Sequence, residues 1–219
     1  MEVKAGTVYI KELSAPAGCK VDNTVYSLNV EAGKTATLNV SDTPKVTDTL
    51  IELFKIDMET QKDAPQGDAS LEGAEFTWKF YAGHYTADNL PSEPTKTWVT
   101  KTIAEKDSDG TIHYVSRLSD EYKVSGDSFY TQDGKNVLPL GTLTVEETKA
   151  PNGYLLDGAY MQANGSEEQI KGMYLTQITE DGDIAVLSGS NQFSVSDEVI
   201  RGGVKIQKRD LETSDTKGQ

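Results

Sequence analysis

One cysteine in 219 residues rules out any disulfide within the chain, so Cys19 staples nothing and stability against harsh surroundings must come from another source. Basic residues are scarce as well. Against 35 Asp and Glu stand only 21 Lys and Arg, a formal charge of −14. With no basic run to neutralise phosphates, nucleic acid and anionic lipid are excluded as partners. No window approaches the roughly 20 apolar residues of a membrane span, so no membrane insertion is expected of this segment. The opening "MEVKAGTVYI" also lacks the apolar stretch of a secretory signal. His84 and His113 are far apart and have no Cys, His or carboxylate at metal-ligand spacing, which leaves no metal and no cofactor to expect.

What the chain does have is Thr, Val, Ile and Tyr in short alternating runs. The runs are separated by turn pairs such as Asp109-Gly110, Asp133-Gly134, Asn152-Gly153, Asn164-Gly165 and Asp181-Gly182. This is an all-β pattern. Residues 59–73 and 87–96 read as polar loops, the second barred from regular pairing by Pro91 and Pro94. Residues 116–126 and 166–173 have room for a helical turn or two.

The chain also repeats itself. "GTVYIKELSAPAGC" near the start matches "GTLTVEETKAPNGY" from residue 141; "TLNVSD" matches "QFSVSD"; "LIELFKIDMET" matches "VKIQKRDLET". The offsets are 135, 155 and 153 positions (147 − 12, 197 − 42 and 208 − 55), so the unit is about a domain long and differs by an insertion. Side chains at i, i+2 and i+4 of a strand share a face. One unit then presents Leu143, Val145, Glu147; Phe193, Val195, Asp197; and Ile51, Leu53, Lys55. The other presents Val8, Ile10, Glu12; Leu38, Val40, Asp42; and Val204, Ile206, Lys208. All six sets run apolar, apolar, ionisable, which places a Glu, an Asp and a Lys on a core face.

Burial penalises each of these charges unless it is paired or neutralised. One reading is a buried ion network. The other is chemical: in an apolar setting a Lys amine becomes a neutral nucleophile and an Asp carboxyl a protonated electrophile. A neighbouring Glu can then shuttle protons as water leaves. The product is an uncharged Lys-Asp amide.

These motifs resemble a known family. "LTVEETKAPNGYLL" and "VYIKELSAPAGC" look like the E-box of Cna B-type or SpaA-like domains of Gram-positive pilins and adhesins, with Cys19 where the motif has Tyr and Leu13 where it has Thr. "LFKIDMET" with "SLEGAEFTW" is similar to their first two strands. The resemblance implies a prealbumin-like (Ig-like) β-sandwich, arranged in tandem. It also implies an autocatalytic isopeptide bond between a first-strand Lys and a last-strand Asn or Asp, assisted by the E-box Glu. By position those roles fall on Lys55, Asp197 and Glu147. Residues 1–46 then form the C-terminal part of one unit, with Glu12 and Asp42 but no Lys strand. Residues 47–200 form a complete unit enlarged by extra hairpins at 80–140 and 158–190, and residues 201–219, with Lys208, open a third. The implied role is a stalk or spacer on the bacterial cell surface, extracellular and wall-anchored in the full-length protein. Its partners are neighbouring repeats of the same protein, and its chemistry is a single turnover, not that of an enzyme.

An alternative is a binding module for a host protein or glycan, with Trp78, Trp98, Tyr81, Tyr85, Tyr114 and Tyr130 as an aromatic platform on the extra hairpins. Core filling is the plainer account of those aromatics. "KDSDGT" stops short of a calcium loop and reads as a hairpin turn. "GDS" at 126–128 has no His partner for a hydrolase. The sequons at Asn39 and Asn164 carry little meaning in a bacterial protein.

Overall fold

The computed structural model describes residues 2–209 and is all-β: the one helical element among them is a single 3-10 turn, Ala87–Asn89, inside the second expected loop. Two six-stranded sheets face one another. The first runs in the order Gln169–Lys171, Tyr154–Ala163, Gln192–Val199, Glu52–Asp57, Ile112–Arg117, Ile103–Lys106. The second runs Lys123–Gly126, Lys96–Lys101, Glu75–Tyr81, Gly141–Lys149, Tyr174–Asp181, Ile184–Leu187. Their inner faces supply one core, with Leu53, Phe193 and Met161 from the first sheet against Phe76, Trp78, Trp98, Leu143 and Ile178 from the second. Alternation along each strand makes this possible, since every second side chain points inward. A short polar thread crosses the core: Trp78 Nε1 donates to Thr100 Oγ1 at 2.7 Å, and Thr100 Oγ1 lies 2.7 Å from Ser116 Oγ on the opposite sheet.

Neighbouring strands are antiparallel with one exception among the described pairs. Glu52–Asp57, the Lys strand, runs parallel to Gln192–Val199, the Asp strand, with Leu53 opposite Phe193, Val195 opposite Lys55 and Asp57 opposite Asp197. A parallel pair needs a crossover rather than a hairpin. Here nearly the whole unit is that crossover.

The helical turns expected at 116–126 and 166–173 do not form. The first stretch ends one strand and supplies Lys123–Gly126, which pairs with Lys96–Lys101; the second supplies Gln169–Lys171, which pairs with Tyr154–Ala163. Ladder pairing overrides their local preference. The N-terminal residues form a separate two-stranded sheet, Gly6–Lys11 against Val25–Val30. They join the rest through Lys45, whose Nζ donates to Glu180 Oε2 at 2.9 Å and Gly182 O at 3.1 Å, and through Val46–Thr47 paired with Leu138 and Pro139.

The Ala-Pro-x-Gly turn after Gly141–Lys149, the Glu strand, has a definite task. Ser70 N donates to Asn152 O at 2.9 Å and Ile200 N to Gly153 O at 2.8 Å, so the turn ties the Glu strand's end to the 59–73 loop and to the end of the Asp strand. Gly153 is required twice over: its φ is +86°, and a Cβ there would sit 2.7 Å from Ala69 Cβ. Gly153→Ala should therefore destabilise the fold by about 1–3 kcal/mol through strain and overpacking. Gly165→Ala, at a similar φ with open space around it, should cost less. Denaturant titration of the two variants checks the order.

Candidate functional site

All nine residues of the three inward sets are buried: Ile51, Leu53 and Lys55; Leu143, Val145 and Glu147; Phe193, Val195 and Asp197. Strand parity thus carries three ionisable groups into one place. Lys55 and Asp197 come from adjacent parallel strands of the first sheet, while Glu147 reaches them across the interior from the second. Glu146, of opposite parity, is exposed.

Lys55 Nζ donates to Glu147 Oε2 at 2.6 Å and also lies 2.6 Å from Asp197 Oδ1. The second contact has no hydrogen-bond geometry. Both Asp197 oxygens, like Glu147 Oε1, are buried without a hydrogen-bond partner. An unpaired buried carboxylate is a costly arrangement. Fully ionised, the trio would carry a net charge of −1, and one added proton cancels it. Burial pushes the Glu147 carboxyl up to about 8, with Lys55 opposing and the Asp197 charge reinforcing the rise, which favours a proton there. A depression of about 380 Å³ lined by Glu146, Glu147, Leu156, Asp157 and Lys171 lies beside the site, whose three ionisable side chains are themselves sealed from solvent.

Asp57 is a fourth buried acid, two residues beyond Lys55 on the same strand face, and the sequence reading passed over it. It accepts from Thr60 N at 2.8 Å, from Gln66 Nε2 at 3.0 Å and from the Tyr154 hydroxyl at 3.0 Å. Burial pushes its carboxyl up, but these donors outweigh that effect and hold it below the ordinary carboxylate value. Asp57 is thus satisfied where Asp197 is not. Through Tyr154 and Gln66 it fixes the ends of the Lys strand and the turn after the Glu strand.

The flanking residues stand differently. Glu12 is half-buried, its Oε2 accepting from Asp22 N at 2.6 Å, and it lines a small depression together with the exposed Asp42. Lys208 lies in the exposed segment 201–209, which joins no strand among the described residues. Residues 210–219 of the expected third unit lie outside the described residues.

Of the other candidates, Trp78, Trp98 and Tyr81 are buried, as core filling requires, while Tyr85, Tyr114 and Tyr130 are half-buried, so half of the alternative aromatic set is withdrawn from the surface. "KDSDGT" forms a hairpin turn in which Asp109, Gly110 and Thr111 backbone N–H groups all donate to Asp107 Oδ1. His113 stands between Asp63 and Asp107, a pairing by folding that sequence spacing did not reveal; its pKa is raised, first by the Asp107 hydrogen bond. No group of His, Cys, Asp and Glu able to hold a metal occurs among the described residues, and none of their helices is long and apolar enough to cross a membrane.

No family model and no curated protein matches the chain. Among solved structures it is similar to the Bacillus anthracis TIE protein, with a TM-score of 0.40 and 21% identity over 89% of this chain and 25% of that one. The chain thus spans about a quarter of that protein's length, and a likeness this low carries no argument about function.

Asp57→Ala would leave three donors without their acceptor, at a cost of about 1–3 kcal/mol by the usual penalty for a stranded buried group. Because the folded-state pKa of Asp57 is depressed, its contribution is present above the ordinary value of 3.8 and is lost as pH falls through the lower folded value. The stability gap between wild type and Asp57→Ala should accordingly be full at neutral pH and narrow in strong acid, as read from denaturant unfolding at both.

Proposed function

We propose that this chain is a structural stalk or spacer segment of a bacterial cell-surface protein, built from prealbumin-like, Cna B-type units in tandem. In this reading the unit at 47–200 is locked by an amide between Lys55 and Asp197. The observation that carries it is a 2.6 Å approach of the Lys55 amine to an Asp197 carboxyl that accepts no hydrogen bond and is fully buried. An ion pair kept for stability would satisfy those oxygens.

The chemistry follows from the charge balance. Transfer of a proton from the Lys55 ammonium to the Asp197 carboxylate leaves an amine and an acid, both neutral and both favoured by a dry site. Nζ attacks Cγ of Asp197, forming the C–N bond. Glu147 relays a proton from nitrogen to the departing carboxyl oxygen, the C–O bond breaks, and water leaves. Glu147 ends as it began. One turnover consumes the site, so the protein is not an enzyme in the ordinary sense.

A stalk gains two things from such a bond. A pull on the ends of the unit passes through the amide and spares the 141 positions between its partners (197 − 55 − 1). Closing a loop of that length removes about 5 kcal/mol of unfolded-chain entropy, by the relation used for disulfides. The acidic surface and the missing disulfide agree with an exposed protein stapled by other means.

The intact mass of the wild-type chain should fall one water below the sequence mass, with Lys55 and Asp197 peptides joined after digestion. Lys55→Ala and Glu147→Ala should both show the full sequence mass and earlier thermal unfolding, whereas Glu146→Ala should remain crosslinked. Separate Lys55 and Asp197 peptides from the wild type would return the trio to a buried ion network.

The rate should also depend on pH in one direction. The relaying proton is present on Glu147 below about 8 and lost above it. Chain refolded from denaturant and quenched at intervals for mass measurement should therefore crosslink progressively more slowly as pH rises past that value. A rate that climbs steadily into alkali would show that Glu147 acts only as a base.

A further inference from the structure

Two acids stand within reach of one amine. Asp57 and Asp197 face each other across the parallel ladder, both fully buried, and Lys55 lies one inward position before Asp57 on its own strand, opposite Val195. From the rise along a strand and the spacing between strands, the Cα of Asp57 is about 6.6 Å from that of Lys55, and the Cα of Asp197, one strand over, about 8 Å. Asp57 is the nearer acid, and a lysine side chain spans either distance. Yet the Lys55 amine lies 2.6 Å from Asp197 Oδ1, while Asp57 enters no ion pair among the described residues.

The two acids differ in what holds their charge. Asp57 Oδ1 accepts from Thr60 N at 2.8 Å and from Gln66 Nε2 at 3.0 Å; its Oδ2 accepts from Gln66 Nε2 at 3.0 Å and from the Tyr154 hydroxyl at 3.0 Å. Against burial, these donors keep the carboxyl below its ordinary value. The Tyr154 hydroxyl is pushed up to about 12, by burial first and then by its bond to Asp57, so it retains the proton it donates at neutral pH. Asp197 accepts from no donor among the described residues. A carboxylate resists attack by an amine, because its oxygen leaves only as water and needs a proton to do so.

Resting on the amide reading above, we infer that Gln66 and Tyr154 determine which acid reacts: by holding Asp57 as a donor-saturated carboxylate they withdraw it from the Lys55 amine and leave Asp197 as its partner. The choice has a mechanical consequence. An amide to Asp57 would close a loop inside one strand, with only Ile56 between its partners, and would carry no load between the ends of the unit. An amide to Asp197 joins the first strand to the last. Both lose one water, so the distinction lies in the peptides and not in the mass.

The charged and titratable groups around Asp57 are Lys55 on its own strand, Asp197 on the Asp strand, Tyr154 on the strand after the turn, and Glu59, which shares Gln66 Nε2 with it at 3.0 Å and contacts Arg201. With its side-chain donors removed, burial dominates and raises the Asp57 carboxyl, so its charge is lost at a higher pH than in the wild type. The test is peptide mapping by tandem mass spectrometry of full-length chain refolded from neutral to mildly acidic pH. Asp197→Ala should keep the full sequence mass, its Lys55 free. Adding Gln66→Ala and Tyr154→Phe to Asp197→Ala should restore the loss of one water, with Lys55 joined to Asp57 inside one peptide and a yield that climbs as pH falls. Gln66→Ala alone, with Asp197 and the Tyr154 bond in place, should divert a smaller share of Lys55 to Asp57 in the same direction. Water loss at Asp57 in Asp197→Ala with both donors intact would overturn the inference. So would variants lacking Gln66 or both donors that unfold cooperatively and never join Lys55 to Asp57. A wild type at full sequence mass would instead remove the amide reading, and this inference with it.

Discussion

Everything in the larger unit is arranged around the electrostatics of three ionisable groups with no access to bulk water. One cation and two anions leave an uncancelled negative charge, and a dry interior tolerates that poorly. A proton on Glu147, whose carboxyl burial pushes up, resolves the imbalance. The sheets make this possible by their spacing: Lys55 and Asp197 stand side by side within one layer, and Glu147 is presented from the layer opposite. The turn at Pro151 to Gly153 and the Asp57 cluster keep the three strands from sliding, since each ties two of them together. A misplacement of one residue in any strand would turn its ionisable group outward and dissolve the arrangement.

Much of this was legible in the sequence, for a simple reason. Period-two alternation is a property of the strand itself, so the inward direction of Lys55, Glu147 and Asp197 needed no knowledge of which strands are neighbours. Four of the five Asp-Gly and Asn-Gly pairs marked hairpin ends in the same local way, Asn152-Gly153 instead linking one sheet to the other, and Asp133 and Gly134, both at positive φ, show the backbone such turns require. What lay hidden depends on partners. The parallel pairing that sets Lys55 beside Asp197 joins residues far apart in the chain, and repetition hinted only that they belong to one unit. Asp57 has the same parity as Lys55 and was available to the same reasoning, but nothing near it in the sequence marks what would satisfy it. Its three donors come from a loop and a distant turn that only folding assembles. The partners of His113 lay hidden likewise, since Asp63 and Asp107 reach it from other segments. The helical turns expected at 116–126 and 166–173 failed because a strand edge was waiting for each.

The two halves of the repeat are an internal experiment in what a missing strand does. With the Lys strand present, the Asp strand is regular and its inward residues are sealed. Without it, the repeated segment at 37–42 has no ladder and its valine is exposed, although its alternation is the same. Pattern alone does not make a strand; the neighbouring edge does.

The parallel pairing of Glu52–Asp57 with Gln192–Val199 also governs the order in which the molecule can fold. It is a contact between the first and last strands of the unit, the most non-local one the unit contains, and contacts of that kind close late and slowly. Until the final strand arrives, the Lys strand has an open edge on that side, and Leu53 and Lys55 lack their seal. A chain emerging from synthesis or export therefore reaches its finished state only when residue 199 is out, so completion of the fold reports that the whole unit has been delivered.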